Sequence, residues 1–170
     1  MRTKPLLAIT ACVALVGGVA LLSVSDAAAE AIRHVHGVNF KVVSQLDESF
    51  CLDASLDKGE EGKEVYLFKC HGRENQRWTF TDTKDSKTVI VGHKGMCLDV
   101  RGRKAGDGTP IQLWKCHYGD NQKFEYTSGG QIKDAHSGKC LEVAGAADRK
   151  PVYINDCDDK KASQRWNLAR

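Results

Sequence analysis

Three carboxylates in this chain sit inside the same short phrase. Asp53, Asp99 and Glu142 each follow Cys-Leu directly, as Cys51-Leu52-Asp53, Cys97-Leu98-Asp99 and Cys140-Leu141-Glu142. Downstream of each comes a glutamine two residues before an aromatic: Gln76-Arg77-Trp78, Gln122-Lys123-Phe124 and Gln164-Arg165-Trp166. A carboxylate accepts two hydroxyl hydrogen bonds side by side, and an amide both donates and accepts. Such a set can orient a partner group without making or breaking a bond. Bond-breaking chemistry finds no support. The chain holds no Ser/His/Asp constellation, no acid pair of workable geometry and no glycine-rich phosphate loop. Asp158-Asp159 reads as a charged turn.

The spacing steps back from chemistry to architecture. The first cysteines are 46 and 43 residues apart, and the glutamines 46 and 42. A period of that size marks units that must stack because none can bury its own apolar face. Each unit also carries a second cysteine, Cys70, Cys116 or Cys157, placed 19, 19 and 17 residues after the first. Six cysteines allow about 15 pairings. The repeat selects the within-unit scheme Cys51–Cys70, Cys97–Cys116 and Cys140–Cys157, each bridge contributing roughly 3 kcal/mol in the chain-entropy picture. Metal ligation is the alternative, but there is no Cys-x-x-Cys and the expected compartment is oxidising.

Within a unit, short β-branched or aromatic stretches alternate with Gly, Asp, Lys and Ser. In the second unit the expected strands are Met96 to Val100, Pro110 to Cys116 and Gln122 to Tyr126, with a lead-in at Thr88 to Gly92. Val38 to Val43 and Gln131 to Ala135 are the matching lead-ins of the other units, giving about four strands each. No stretch sustains helical periodicity, so the fold class is all-β. Trp78, Phe124 and Trp166, one per unit, are expected to fill a shared core. Their glutamines can tie down backbone groups of a tight turn.

The first 29 residues read differently. Arg2 and Lys4 precede an apolar stretch from Leu6 to Leu22, and Ala27-Ala28-Ala29 supplies small residues, the pattern of a secretory signal peptide over 1–29. A membrane anchor fits less well because Gly17-Gly18 interrupts the stretch, and a lipoprotein signal at Cys12 fails because the apolar run continues past it. A flexible segment, 30–36, would then lead the mature chain, carrying His34 and His36 with no spacing that makes a metal site. Of 25 basic and 22 acidic residues, 23 and 21 lie beyond residue 29. That balance disfavours nucleic acid and lipid surfaces as partners.

Three units of Cys-Leu-Asp…Cys…Gln-x-Trp resemble the ricin B-chain-type lectin domain, over about residues 37–168. The resemblance implies a β-trefoil of three pseudo-equivalent lobes, about 37–82, 83–127 and 128–170, with one disulfide per lobe and up to one shallow sugar pocket in each. It implies that a pocket is made by the acid, a polar residue and an aromatic two apart on the next strand, and an Asn-Gln pair. In repeat two these are Asp99, Gln112, Trp114, Asn121 and Gln122, the full set. In repeat one they are Asp53, Tyr66, Phe68, Asn75 and Gln76, with Tyr66 in place of the amide. Repeat three has Glu142, Tyr153, Asn155 and Ser163 at these positions, so it lacks the aromatic platform and is expected to be structural. His71 and His117 follow the second cysteines and are read as turn residues at the pocket rims, with a sugar contact as the alternative.

What the resemblance implies, then, is a secreted, non-catalytic glycan-binding protein with no cofactor, no metal and no stable membrane insertion. Galactosides or xylan-like chains are candidate ligands. The alternative is a trefoil serving protein interaction, as an inhibitor or the targeting subunit of a multichain complex.

Overall fold

The computed structural model describes residues 39–55 and 61–170. The expected signal peptide and the segment 30–36 lie outside the described residues. Twelve short strands are present among those described: β1 (Asn39–Ser44), β2 (Phe50–Ala54), β3 (Lys63–Lys69), β4 (Trp78–Asp82), β5 (Thr88–Val91), β6 (Cys97–Val100), β7 (Thr109–Trp114), β8 (Lys123–Tyr126), β9 (Ile132–Asp134), β10 (Cys140–Val143), β11 (Lys150–Asn155) and β12 (Trp166–Ala169). That is four per repeat, as the turn spacing predicts.

Six strands form a barrel. Antiparallel ladders join β1 to β4, β4 to β5, β5 to β8 and β8 to β9, while β1 also pairs with β12. A single bridge, Gln131↔Arg165, closes the circle between the third-lobe strands. The other six strands make three hairpins, β2–β3, β6–β7 and β10–β11, which pair with one another through β3–β7, β7–β11 and β11–β3. This triangular cap over a barrel is the β-trefoil.

The alternation of each strand explains the core. Leu52, Leu98 and Leu141 are fully buried beside Trp78, Phe124 and Trp166. Trp78 Nε1 donates to the Leu52 carbonyl (3.0 Å) and Trp166 Nε1 to that of Leu141 (3.3 Å), so both indoles satisfy their polar atom internally. The three predicted disulfides are formed, with Cα–Cα distances of 5.0, 5.1 and 5.0 Å. The expectation that β7 reaches Cys116 is corrected, because it ends at Trp114. The Lys115 carbonyl turns out of the ladder to accept from Gln122 Nε2 at 3.0 Å. Gln122 likewise closes the 3-10 turn Asp120–Gln122 before β8 begins.

Candidate functional site

Each lobe builds its site where a hairpin meets the turn before the next barrel strand. The acid lies on the first hairpin strand and faces its cross-strand partner on the second: Asp53↔Tyr66, Asp99↔Gln112 and Glu142↔Tyr153. All three acids are buried, which strands a charge away from water unless donors surround it.

The glutamines are those donors. Gln122 Nε2 donates to Asp99 Oδ2 (2.9 Å) and to the Lys115 carbonyl, while its Oε1 accepts from the backbone N–H groups of His117 (2.8 Å) and Tyr118 (3.1 Å). Gln76 repeats the pattern on Asp53 Oδ2 (2.8 Å), the Lys69 carbonyl, and the N–H groups of His71 and Gly72. With two donors and two acceptor sites, a carboxamide has nothing left after four such bonds. Gln76 and Gln122, expected among the ligand contacts, thus have their amides fully engaged by the protein. Both are 0% exposed, and they position the acid while pinning the turn.

In lobe two, Asp99, Gln112, Trp114 and Asn121 line one open depression of about 360 Å³, joined by Arg101, Gly102, Arg103 and His117. Asp99 Oδ2 accepts from Asn121 Nδ2 (2.9 Å) as well as Gln122, and Oδ1 from Gln112 Nε2 (2.9 Å). One lone-pair site of Oδ1 is left over. Asn121 Nδ2 also donates to the Val100 carbonyl, which fixes the amide so that Oδ1, though buried, has no partner in the protein. Trp114 is 37% exposed at the edge of the depression. Arg101 donates through Nε to Gln112 Oε1 (3.0 Å), holding the amide with its donors toward Asp99.

Lobe one brings together Asp53, Tyr66, Phe68 and Asn75 around a smaller depression of about 170 Å³, with Ser55, His71 and Arg149. Asn75 Nδ2 donates to Asp53 Oδ1 (2.8 Å), and Asn75 Oδ1 is again buried without a partner. Burial holds the Asp53 carboxyl above its ordinary range, against the lowering effect of Gln76, Asn75 and His71. The Tyr66 and Phe68 rings lie 6.3 Å apart and tilted.

The histidines act as turn braces. His71 Nδ1 accepts from the Arg73 N–H (3.2 Å) and His117 Nδ1 from that of Gly119 (3.0 Å), placing the ring proton on Nε2. In both lobes Nε2 stands 3.4 Å from the acid's Oδ2.

Lobe three closes on itself. Glu142 Oε2 accepts from Asn155 (3.0 Å) and Gln164 (2.8 Å), and Oε1 faces Ser163 Oγ (3.3 Å) and Lys161 Nζ (3.5 Å). Burial acts to raise the Glu142 carboxyl, but the bonds from Gln164 and Asn155 and the Lys161 charge outweigh it and leave it below the ordinary value.

Sequence reasoning missed the contribution of neighbouring lobes. The turn before β3 runs along lobe two, where Gly62 N–H donates to the Leu113 carbonyl (2.8 Å) and the glycine lies beside the Trp114 ring. The turn before β7 serves lobe three in the same way, with Gly108 N–H on the Ile154 carbonyl and on Asn155 Oδ1. The turn before β11 serves lobe one, with Arg149 N–H on the Leu67 carbonyl. Aligning the repeats on one another hides this, because each wall comes from a different repeat. Arg101 was within reach, since it stands two residues past the acid where lobe one has Ser55.

The ricin-type beta-trefoil lectin domain family matches residues 39–166, and the chain belongs to it. The fold is similar to a designed 3-fold symmetric protein, ThreeFoil (TM-score 0.72, 26% identity, 78% of this chain and 98% of that one). It is also similar to an exo-beta-1,3-galactanase from Clostridium thermocellum (TM-score 0.70, 24% identity, 78% of this chain and 30% of that one). A third likeness is to the Polyporus squamosus lectin bound to a sialylated epitope (TM-score 0.67, 20% identity, 76% of this chain and 48% of that one). The chain thus spans under half of the galactanase and of the fungal lectin. A search of curated protein sequences finds no match. Family membership supports carbohydrate binding as the general activity. Among the described residues no helix is long and apolar enough to cross a membrane, and no group of three or more metal-ligating side chains occurs.

Proposed function

We propose that this protein is a secreted lectin that binds glycans without chemistry, chiefly through lobe two. The observation that carries the reading is the pairing of Trp114, 37% exposed at the rim, with Asp99 in the same depression, whose Oδ1 accepts from Gln112 alone and keeps one acceptor site. A flat ring packs against the C–H face of a pyranose while fixed acceptors take its hydroxyl protons. The cleft of lobe two falls in the range of small-ligand sites, roughly 300–1,000 Å³. Lobe one offers a smaller second site through Asp53, Phe68 and Asn75. Binding through two lobes of one protein strengthens attachment to a multivalent glycan. Secretion is supported by three disulfides, which persist in oxidising compartments.

A glycan array on the mature protein, followed by calorimetry on its best ligand, tests this. The Asp99→Ala/Trp114→Ala variant is expected to lose on the order of a hundredfold in affinity with its circular dichroism unchanged. Wild-type affinity in that variant would refute the assignment. A protein-interaction scaffold has no need of the open acid and platform in lobe two, and an empty array beside a stoichiometric protein partner would favour it.

A further inference from the structure

One backbone position recurs in all three lobes with a left-handed conformation: Gly62 (φ 81°), Gly108 (φ 73°) and Arg149 (φ 61°). The equivalence is set by hydrogen bonding, since each N–H donates to the carbonyl of the next lobe's hairpin strand, at Leu113, Ile154 and Leu67. Two lobes fill it with glycine, the residue that adopts positive φ without a steric penalty. The third places an arginine there, against the contact of Cβ with the backbone that makes this region unfavourable for L-residues. Strain of this kind, where the same fold shows the relaxed solution twice, points to use of the side chain. The side chain lines the lobe-one depression with Asp53, Ser55, Tyr66, Phe68, His71 and Asn75, and it is exposed. Among the described residues it makes no ion pair.

We infer that Arg149 is a specificity-determining residue of the lobe-one pocket, contributed by lobe three, and that this pocket selects glycans bearing an oxyanion. The inference rests on the reading of lobe one as a glycan site. The carboxylate that lines the pocket, Asp53, suits hydroxyl donors. A guanidinium at the rim adds a planar fork of N–H donors matched to a carboxylate or sulfate. The ligand is then a sugar ring whose hydroxyls meet the acid and whose charged substituent points outward to Arg149. Lobe three, closed at its own acid, gains a part in binding through this one residue.

The test uses full-length mature protein carrying Trp114→Ala, so that lobe one is read alone. Titrations compare a neutral galacto-oligosaccharide, the same core with a uronic acid, and the same core with a sulfate. The expected result is a preference of roughly tenfold for at least one charged ligand, shrinking as salt is raised. The Arg149→Gly change is expected to bring the charged-to-neutral ratio to near one while the melting temperature holds or rises, because glycine relaxes the backbone. Arg149→Lys keeps part of the preference. A preference for the uronic acid alone assigns a carboxylate, and for the sulfated core alone a sulfate. Equal binding of neutral and charged ligands, or a ratio that survives Arg149→Gly, overturns the role of Arg149 and leaves the glycan site standing. Absence of any binding overturns both. A melting temperature that falls in Arg149→Gly with the ratio intact assigns the arginine to structure instead.

Discussion

Asp99 in lobe two and Glu142 in lobe three occupy equivalent places, one strand from Gln112 and Tyr153, and accept from equivalent glutamines. Around Asp99 the protein leaves one acceptor site open and stations a tryptophan beside it. Around Glu142 the extra methylene carries the carboxylate outward to Ser163 and Lys161, and Asn155 spends its amide on the acid and on the Gly108 N–H. The framework of the site is thus common, and availability is decided by who satisfies the carboxylate. A lobe can keep every bond that holds the fold and still have nothing to offer.

The comparison can be broken most forcefully through the framework. Gln122→Ala and Gln164→Ala each remove a fully used amide and strand an acid and at least one turn N–H, so each should lower stability by about 3 kcal/mol in urea unfolding. A much smaller loss in lobe three would show that the two frameworks are not equivalent. Next in size, Trp114→Ala should weaken the best glycan ligand by at least roughly tenfold, whereas Asn155→Ala should leave its affinity within about twofold. Calorimetry distinguishes the two.

A gain-of-function variant sharpens the point further. Glu142→Asp, Tyr153→Gln, Asn155→Trp, Lys161→Gly and Ser163→Asn together rebuild the lobe-two set in lobe three. The expected outcome is one additional weak site in calorimetric stoichiometry. An unchanged stoichiometry would mean that the wall donated by the turn before β7 also matters.

Acid titration supplies the smallest effect. Glu142 has its folded value depressed, so it contributes stability that is present above its unfolded pKa and is lost as pH falls through the folded one. Asp53 is raised, so its contribution declines as pH rises through the ordinary carboxylate range up to the folded value. Between about pH 3 and 6, Glu142→Gln should flatten the fall of the urea midpoint on acidification, and Asp53→Asn should steepen it. Opposite slopes would reverse the assignment of which acid is well satisfied.

Most of the fold was legible because its period is written in chemically distinctive words. Cys51, Cys97 and Cys140 set the lobes, and Trp78, Phe124 and Trp166, one per unit, fill the shared core expected of them. The site was legible in part. Asp99, Gln112, Trp114 and Asn121 do converge, but a sequence cannot show that both ends of Gln122 are already occupied by the protein. Nor can it show that Arg149 belongs to the pocket of another repeat, because alignment of repeats compares each lobe with itself. The hint available was a glycine, a glycine and an arginine at one turn position, meaningful only once the turns are seen to require positive φ.

The exchange of walls between neighbours bears on ancestry and on engineering. A peptide of one lobe carries its own acid but only the wall for someone else's pocket. Three copies closing head to tail would return to every copy the piece it lacks. A single covalent chain lets the three copies diverge, so that lobe three satisfies its own acid internally and still places Arg149 along the depression of lobe one.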